Sequence, residues 1–308
     1  MTSANRNATL KRYSNNFKIF REGNFMNVLS LFDGMSCGQI ALNRAEIKYD
    51  NYFASEIDEK AMFVAQKNYP NTIQLGDVTK VKGNDLPKID LLIGGSPCQG
   101  FSFAGKGLNF EDPRSKLFFE FVRLKNETQP KYFLLENVKM KIEHQNIITE
   151  LLGVPPVLIN SSLVTAQNRE RLYWTNIPNI TQPKDKGLFL KDVIQYGTGK
   201  LLSETTAKRP RTLRNFRNAN QKAFCMLATM WKGSQSNGMT VIDDKGLRNI
   251  TPNECEALQN VPNNYTYGVA DTHRYTMLGN GWTVDVIAHI FSYFNSFEKT
   301  EAGWQKIK

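Results

Sequence analysis

With 308 residues, 41% of them apolar and 11% aromatic, the chain is long enough to bury one large core and a smaller one, which excludes a disordered or fibrous protein. Its longest apolar runs, at 89–93 and 132–135, are too short for a membrane-spanning helix. The net charge of +10 is uneven: residues 179–247 hold 12 Lys/Arg against 5 Asp/Glu and residues 1–25 hold 5 against 1, which suits a polyanion-binding segment and arm as well as it suits a solvated surface.

In chain order, residues 1–26 form a basic arm expected to be disordered, and from Asn27 short apolar runs alternate with helix-like stretches. Strands are predicted at 27–31, 51–55, 72–75, 89–94, 132–136, 156–160 and 171–175, and helices at 37–45, 59–68, 115–125 and 141–152, the last stopped by Gly153 and the prolines after it. That alternation predicts a doubly wound, mostly parallel α/β sheet. Residues 179–250, rich in turn formers and cations, are predicted to be an inserted module. Regularity resumes at Thr251-Pro252-Asn253-Glu254, which has the pattern of a helix start with Thr251 as N-cap and Glu254 at the third position. A final helix is predicted over 284–297, followed by a tail at 298–308; residues 27–178 and 251–297 then make up the catalytic domain.

Chemistry is expected at the carboxyl ends of the strands, where open α/β sheets bind ligands. The first strand runs into Phe32-Asp33-Gly34-Met35-Ser36-Cys37-Gly38, a glycine-bounded turn that opens a helix; the second ends at Ser55-Glu56-Ile57-Asp58 and the third at Gly76-Asp77-Val78. An acidic residue in such a place can bond ribose hydroxyls or an adenine amine, or it can simply cap the next helix. A nicotinamide dehydrogenase would use the same strand ends, and it is the fourth strand that separates hydride from methyl transfer. It leads into Gly95-Ser96-Pro97-Cys98-Gln99-Gly100, which places a thiol on the loop at the ligand-binding edge. The fifth ends at Glu136-Asn137-Val138, and a glutamate beside a soft nucleophile suits chemistry on a pyrimidine. Four cysteines without a CxxC pair and three histidines without ligand spacing suggest a reducing compartment and no metal.

These motifs, followed by Gln167-Asn168-Arg169-Glu170-Arg171 and Gly279-Asn280-Gly281, occur in the order found in the DNA cytosine-C5 methyltransferase family, and the chain resembles that family from about 27 to 297. Residues 117–121, the short inserted region, Trp282 and residues 286–291 look closest to the de novo branch of animal enzymes and their phage and bacterial relatives. Cys37 and Gly281-Trp282 depart from the common family pattern. The resemblance implies S-adenosyl-L-methionine as methyl donor, S-adenosyl-L-homocysteine as product and double-stranded DNA as substrate, in the cytoplasm of a prokaryotic or phage-infected cell or in a nucleus.

The resemblance also implies roles. Cys98 adds to C6 of a flipped-out cytosine, Glu136 holds N3 and the exocyclic amine, and Arg169 and Arg171 hold the base and brace the loop. Phe32, Asp33, Gly34, Cys37, Gly38, Glu56, Ile57, Asp77, Val78, Gly95, Pro97, Leu117, Asn280, Gly281 and Trp282 would surround the cofactor. Gln99, Ser102 and Lys106 on the loop 99–116, and Lys208, Arg209, Arg211, Arg214 and Arg217 in a target-recognition module at 179–250, would meet DNA. The resemblance leaves open a tRNA-modifying enzyme of the same family, and a catalytically silent DNA-binding regulator, which would be expected to lack Cys98 or Glu136. On a helix at 115–125, Leu117, Phe118, Phe121, Val122 and Leu124 share the sheet-facing side, and Phe119, on the opposite side, is expected to make a homodimer contact.

Overall fold

The computed structural model describes residues 26–96, 113–233, 238–294, 297–300 and 303–306; Pro97, Cys98, Gln99, Ser102, Lys106 and residues 1–25 of the basic arm lie outside them, while Met26, read as the end of that arm, opens the first strand. The first half alternates strand and helix: β1 (Met26–Leu31), α1 (Cys37–Arg44), β2 (Tyr49–Ser55), α2 (Glu59–Asn68), β3 (Ile73–Gln74), β4 (Leu91–Gly95), α3 (Pro113–Thr128), β5 (Tyr132–Val138), α4 (Ile142–Leu152), β6 (Pro156–Asn160) and β7 (Glu170–Thr175). These strands form one seven-stranded sheet in the order β3-β2-β1-β4-β5-β7-β6. The ladders β3 to β5 are parallel, and β7 runs antiparallel to both of its neighbours. The chain moves outward from β1 to β3 and returns to β4 on the other side of β1, so a crevice opens at the carboxyl ends of β1 and β4.

Continuous apolar runs form these strands because both faces of the sheet are covered. Val28, Leu91, Ile93 and Leu134 lie in one apolar cluster, and their neighbours Leu29, Leu31, Leu92, Phe133 and Leu135 lie in the other. Gly153 ends α4 in the left-handed conformation at φ 77°, as its lack of a side chain permits.

The second half is more irregular. Short helices α5 (Glu204–Ala207) and α6 (Pro210–Arg214) precede a small sheet of β8 (Phe216–Arg217), β9 (Thr240–Asp243) and β10 (Gly246–Asn249). Then come α7 (Pro252–Leu258), α8 (Asp271–Asn280), α9 (Val284–Phe291) and the hairpin β11 (Phe297–Thr300) with β12 (Gly303–Lys306). The helix start read at Thr251 is present as a capping box: Thr251 Oγ1 accepts from the Glu254 N–H, and Glu254 Oε2 accepts from the Thr251 N–H at 2.7 Å. Among the described residues no helix is long and apolar enough to cross a membrane.

Two expectations fail here. The last helix stops at Phe291 rather than Phe297, because the Ser292 hydroxyl bonds back to the His289 carbonyl and Tyr293 N–H bonds Ile290 O, tightening the final turn. Phe119 is not stranded on a polar face. The 3-10 turns at 78–80 and 83–85 lie against the outer side of α3, and Phe119 packs in the cluster containing Val78 and Val81, its ring 5.4 Å from that of Phe118. The ground for a dimer contact there falls away.

Candidate active site

The turn after β1 holds an unusual backbone. Phe32 and Ser36 are left-handed at φ 58° and 69°, as is Gly34 at 59°. A non-glycine residue in that region costs about 1–3 kcal/mol and persists only where its surroundings hold it. Here Asp33 does the holding: its carboxylate accepts from Ser30 Oγ at 2.6 Å, Tyr52 Oη at 2.7 Å and Ser36 Oγ at 2.7 Å. Burial pushes the Asp33 carboxyl up to about 6, against the pull of those three hydroxyls. Asp33 is thus the brace beneath the turn. Gly38 lets α1 approach the sheet, since a Cβ there would lie 2.5 Å from both Ile93 and Tyr52. By contrast, a Cβ at Gly34 would meet no described residue within 4 Å, so among the described residues that side of the turn is open.

Around that space stand the other strand ends. Glu56 accepts from the N–H groups of Gly34, Ile57 and Asp58 at 2.7–2.8 Å, which leaves one of a carboxylate's roughly four lone-pair sites for a ligand. Capping of α2 falls to Asp58 instead. Asp77 does cap, taking the Thr79 N–H and hydroxyl on Oδ1; these bonds hold its carboxyl below the usual range, while Oδ2 has only Lys80 at 3.6 Å. Ile57 is 75% exposed, whereas Val78 is core and Leu117 packs partly buried against the same cluster. The Gly38 Cα and the Val78 side chain are thus packed inside the fold.

Glu136 is the centre of the second group. The ladder sets it opposite Gly95 on β4 and Tyr173 on β7, and it is 8% exposed. Arg171 Nε lies 3.0 Å from Oε1, and Trp282 Nε1 donates to Oε2 at 3.2 Å. Beside it, Asn137 Nδ2 donates to Ser96 Oγ at 3.1 Å and so fixes the stem that leads into Pro97-Cys98. Arg169 does not reach toward a base: it is 3% exposed and gives its N–H groups to the carbonyls of Met226, Gly279 and Gly281. It braces the turn at 279–281 and joins it to the inserted segment. Cys37 is buried under that turn, its thiol pushed up to about 12 by burial, and Cys255 is likewise buried and raised, so both stay protonated at neutral pH.

The arrangement is a crevice at the ends of β1, β2 and β4 beside a buried carboxylate, with the Gly95-Ser96 stem next to that carboxylate. The profile described as C-5 cytosine-specific DNA methylase matches residues 26–195 and 179–295. The chain belongs to that family. It is 30% identical over 309 residues to the Type II methyltransferase M.Bsp6I of Bacillus sp. (strain RFL6), an alignment covering 86% of this chain and 97% of that enzyme. With the orphan methyltransferase M.SPRI of Bacillus phage SPR it shares 38% identity over 193 residues, 58% of this chain but 44% of the phage enzyme, so the match spans less than half of that relative. In fold it is similar to the methyltransferase EhMeth of Entamoeba histolytica, with a TM-score of 0.76, 18% identity and coverage of 88% of this chain and 98% of the other.

Membership of the C-5 cytosine methylase family gives the inserted segment its interest. Arg209, Arg211 and Arg214 are exposed on and before α6, and Lys208 is exposed but pairs with Glu204 at 2.5 Å. Arg217 is partly buried beneath the Phe224 ring, 3.4 Å from its centroid. From there the chain returns to the site through Ala223, whose N–H bonds Ala166 O, and Cys225, whose Sγ lies 3.4 Å from Arg169 Nη1 and 3.8 Å from Arg171 Nη2. Cys225, Asn137 and the indole of Trp282 beside Glu136 are contacts that no local sequence pattern marks.

Proposed function

We propose that the protein transfers a methyl group from S-adenosyl-L-methionine to C5 of cytosine in double-stranded DNA, acting on a base flipped out of the helix with Cys98 as nucleophile. The observation that supports this most is Glu136: a buried carboxylate, gripped at one oxygen by Arg171 and at the other by Trp282, one strand away from the Gly95-Ser96 stem of the Cys98 loop. One oxygen keeps a lone pair for the exocyclic amine of cytosine, and the other, when protonated, can donate to N3.

The residues at the crevice fit the donor. Phe32 and Trp282 offer partly exposed apolar walls, Gly34 leaves room, Glu56 has one acceptor site for a ribose hydroxyl, and Asp77 Oδ2 can take an adenine amine. When bound there, S-adenosyl-L-methionine supplies an electrophilic methyl group. The chain's own residues do the rest. The Cys98 thiolate adds to C6 while Glu136 gives a proton to N3, so the ring electrons gather at C5. C5 then takes the methyl group; a water molecule takes the C5 proton, elimination expels the Cys98 thiolate, and N3 returns its proton to Glu136. The cations of the inserted segment hold the duplex by its phosphates. The description of the family names DNA, which favours duplex DNA over tRNA as the substrate.

The test is radiolabel transfer from S-adenosyl-L-methionine to duplex DNA and to tRNA in parallel, followed by bisulfite sequencing. Label at cytosine C5 in DNA is expected; label in tRNA alone would overturn the substrate, and label in neither would overturn the activity. Cys98→Ser is expected to abolish transfer while cofactor binding stays within a few-fold, because a hydroxyl is a far weaker nucleophile than a thiolate. Methylation by Cys98→Ser at the wild-type rate would remove Cys98 from the mechanism.

A further inference from the structure

The two places where the chain departs from the common family pattern, Cys37 and Gly281-Trp282, touch each other. A Cβ on Gly281 would lie 3.3 Å from Cys37 Sγ and 3.0 Å from Met35 Cε, and the Cys37 thiol meets the backbone N–H of Trp282. The backbone of this turn is held from other sides as well. Gly281 O accepts from Arg169 Nη2 and from Gln259 Nε2, both at 3.0 Å, and Thr283 Oγ1 donates to Gln259 Oε1 at 2.8 Å. Trp282 therefore projects from a rigid base.

Its indole crosses the crevice to Glu136. Gly95 makes that crossing possible, since a Cβ there would lie 2.7 Å from Trp282 Nε1 and 3.0 Å from Glu136 Oε2, inside the hydrogen bond itself. The last torsion of a glutamate is broad, so one donor alone leaves the plane of its carboxyl group free to swing. Arg171 on Oε1 and Trp282 on Oε2 together remove that freedom. A base that must meet both oxygens at once needs the plane already set.

Resting on the function proposed above, we infer that Trp282 is a positioning residue for the methyl-transfer reaction: its indole N–H orients the Glu136 carboxyl group for the cytosine edge. Any contact of the ring with the cofactor is a separate property, because the donor atom points at Glu136. Removing the N–H while keeping an aromatic ring therefore separates the two.

The experiment compares wild type with Trp282→Phe and with a chain carrying 3-benzothienylalanine at 282, which keeps the bicyclic shape but has sulfur in place of N–H. For both variants, kcat for methylation of duplex DNA is expected to fall about ten- to hundred-fold, the loss of one hydrogen bond to a charged group in the reacting arrangement. The Kd of S-adenosyl-L-homocysteine, measured calorimetrically, is expected to stay within about threefold, with KM for DNA and the melting temperature unchanged. Wild-type kcat in the benzothienyl chain would overturn the inference. So would a loss confined to cofactor affinity. Absence of methyl transfer by the wild type would instead overturn the function on which the inference rests.

Discussion

The carboxyl edge of the large sheet and the inserted segment at 179–250 hold their functional side chains by different physics. At the sheet edge the main-chain ladder does the placing: Glu136 stands beside Gly95 and Tyr173 because β4, β5 and β7 are in register, whatever their side chains. In the inserted segment the ladder is thin, with β8 only two residues long, and the order comes from buried polar side chains. Gln167 Oε1 takes the Met226 N–H, Arg169 takes the Met226 carbonyl, and Arg248 pairs with Glu254 at full burial. A position set by backbone hydrogen bonds survives most substitutions, whereas one set by a buried ion pair depends on two particular residues.

The sharpest way to break that comparison is to unpair Arg248. Its guanidinium meets Glu254 through two parallel bonds of 2.9 and 2.7 Å, both side chains are 0% exposed, and the pair ties β10 to the first turn of α7. Arg248→Met leaves a buried carboxylate without its cation and is expected to cost about 3–5 kcal/mol, while the double variant Arg248→Met/Glu254→Gln, which removes the charge but keeps an acceptor for the Thr251 N–H, should recover part of the loss. Denaturant unfolding of the three chains measures both. A single variant as stable as wild type would show that the segment does not depend on the pair.

How far each region was legible follows from the same contrast. The strands of the large sheet are runs such as Leu91-Leu92-Ile93, buried on both faces, so composition alone marks them, and Gly153 marks its own turn by its conformational freedom. Glu136 was legible as a strand end, but its grip by Arg171 and Trp282 was not: those partners lie far along the chain, and no periodicity carries a contact of that range. Arg169, just before β7, and Arg171, on it, read as equivalents, yet only Arg171 meets the carboxylate. Phe119 was misjudged because a helical wheel assumes one packing surface, and α3 has two.

A smaller effect sharpens the sheet side of the comparison. Asp33 braces the strained turn with a carboxyl raised from 3.8 to about 6, chiefly by burial. A carboxyl raised on folding makes the native state bind the proton more tightly, so its contribution is full below the unfolded value and is lost as pH climbs through about 6. The shift of about two units corresponds to at most about 3 kcal/mol. Between pH 4 and 7, the stability of wild type relative to Asp33→Asn should fall by up to that amount, and then level off. A difference that stays flat across this range would mean that Asp33 is not the group holding the turn.

The smallest effect, and the one that reaches the inserted segment's own task, concerns its cations taken one at a time. Lys208 already spends its charge on Glu204, and Arg217 is held under the Phe224 ring, whereas Arg211 and Arg214 stand exposed on α6. If the segment grips duplex DNA by its phosphates, each side chain that releases counterions contributes about 0.9 to the slope of log K against log salt. Arg211→Gln and Arg214→Gln should each reduce the slope by nearly one unit, with the loss in affinity similar for all DNA sequences. Lys208→Gln should change it little, because the same substitution frees Glu204 and removes a cation that was already neutralised. Binding isotherms for a labelled duplex at several salt concentrations give the three slopes. Equal slopes in all variants and wild type would assign these charges to solvent, and a slope lost at Lys208 but not at Arg211 or Arg214 would place the DNA on a different face of the segment.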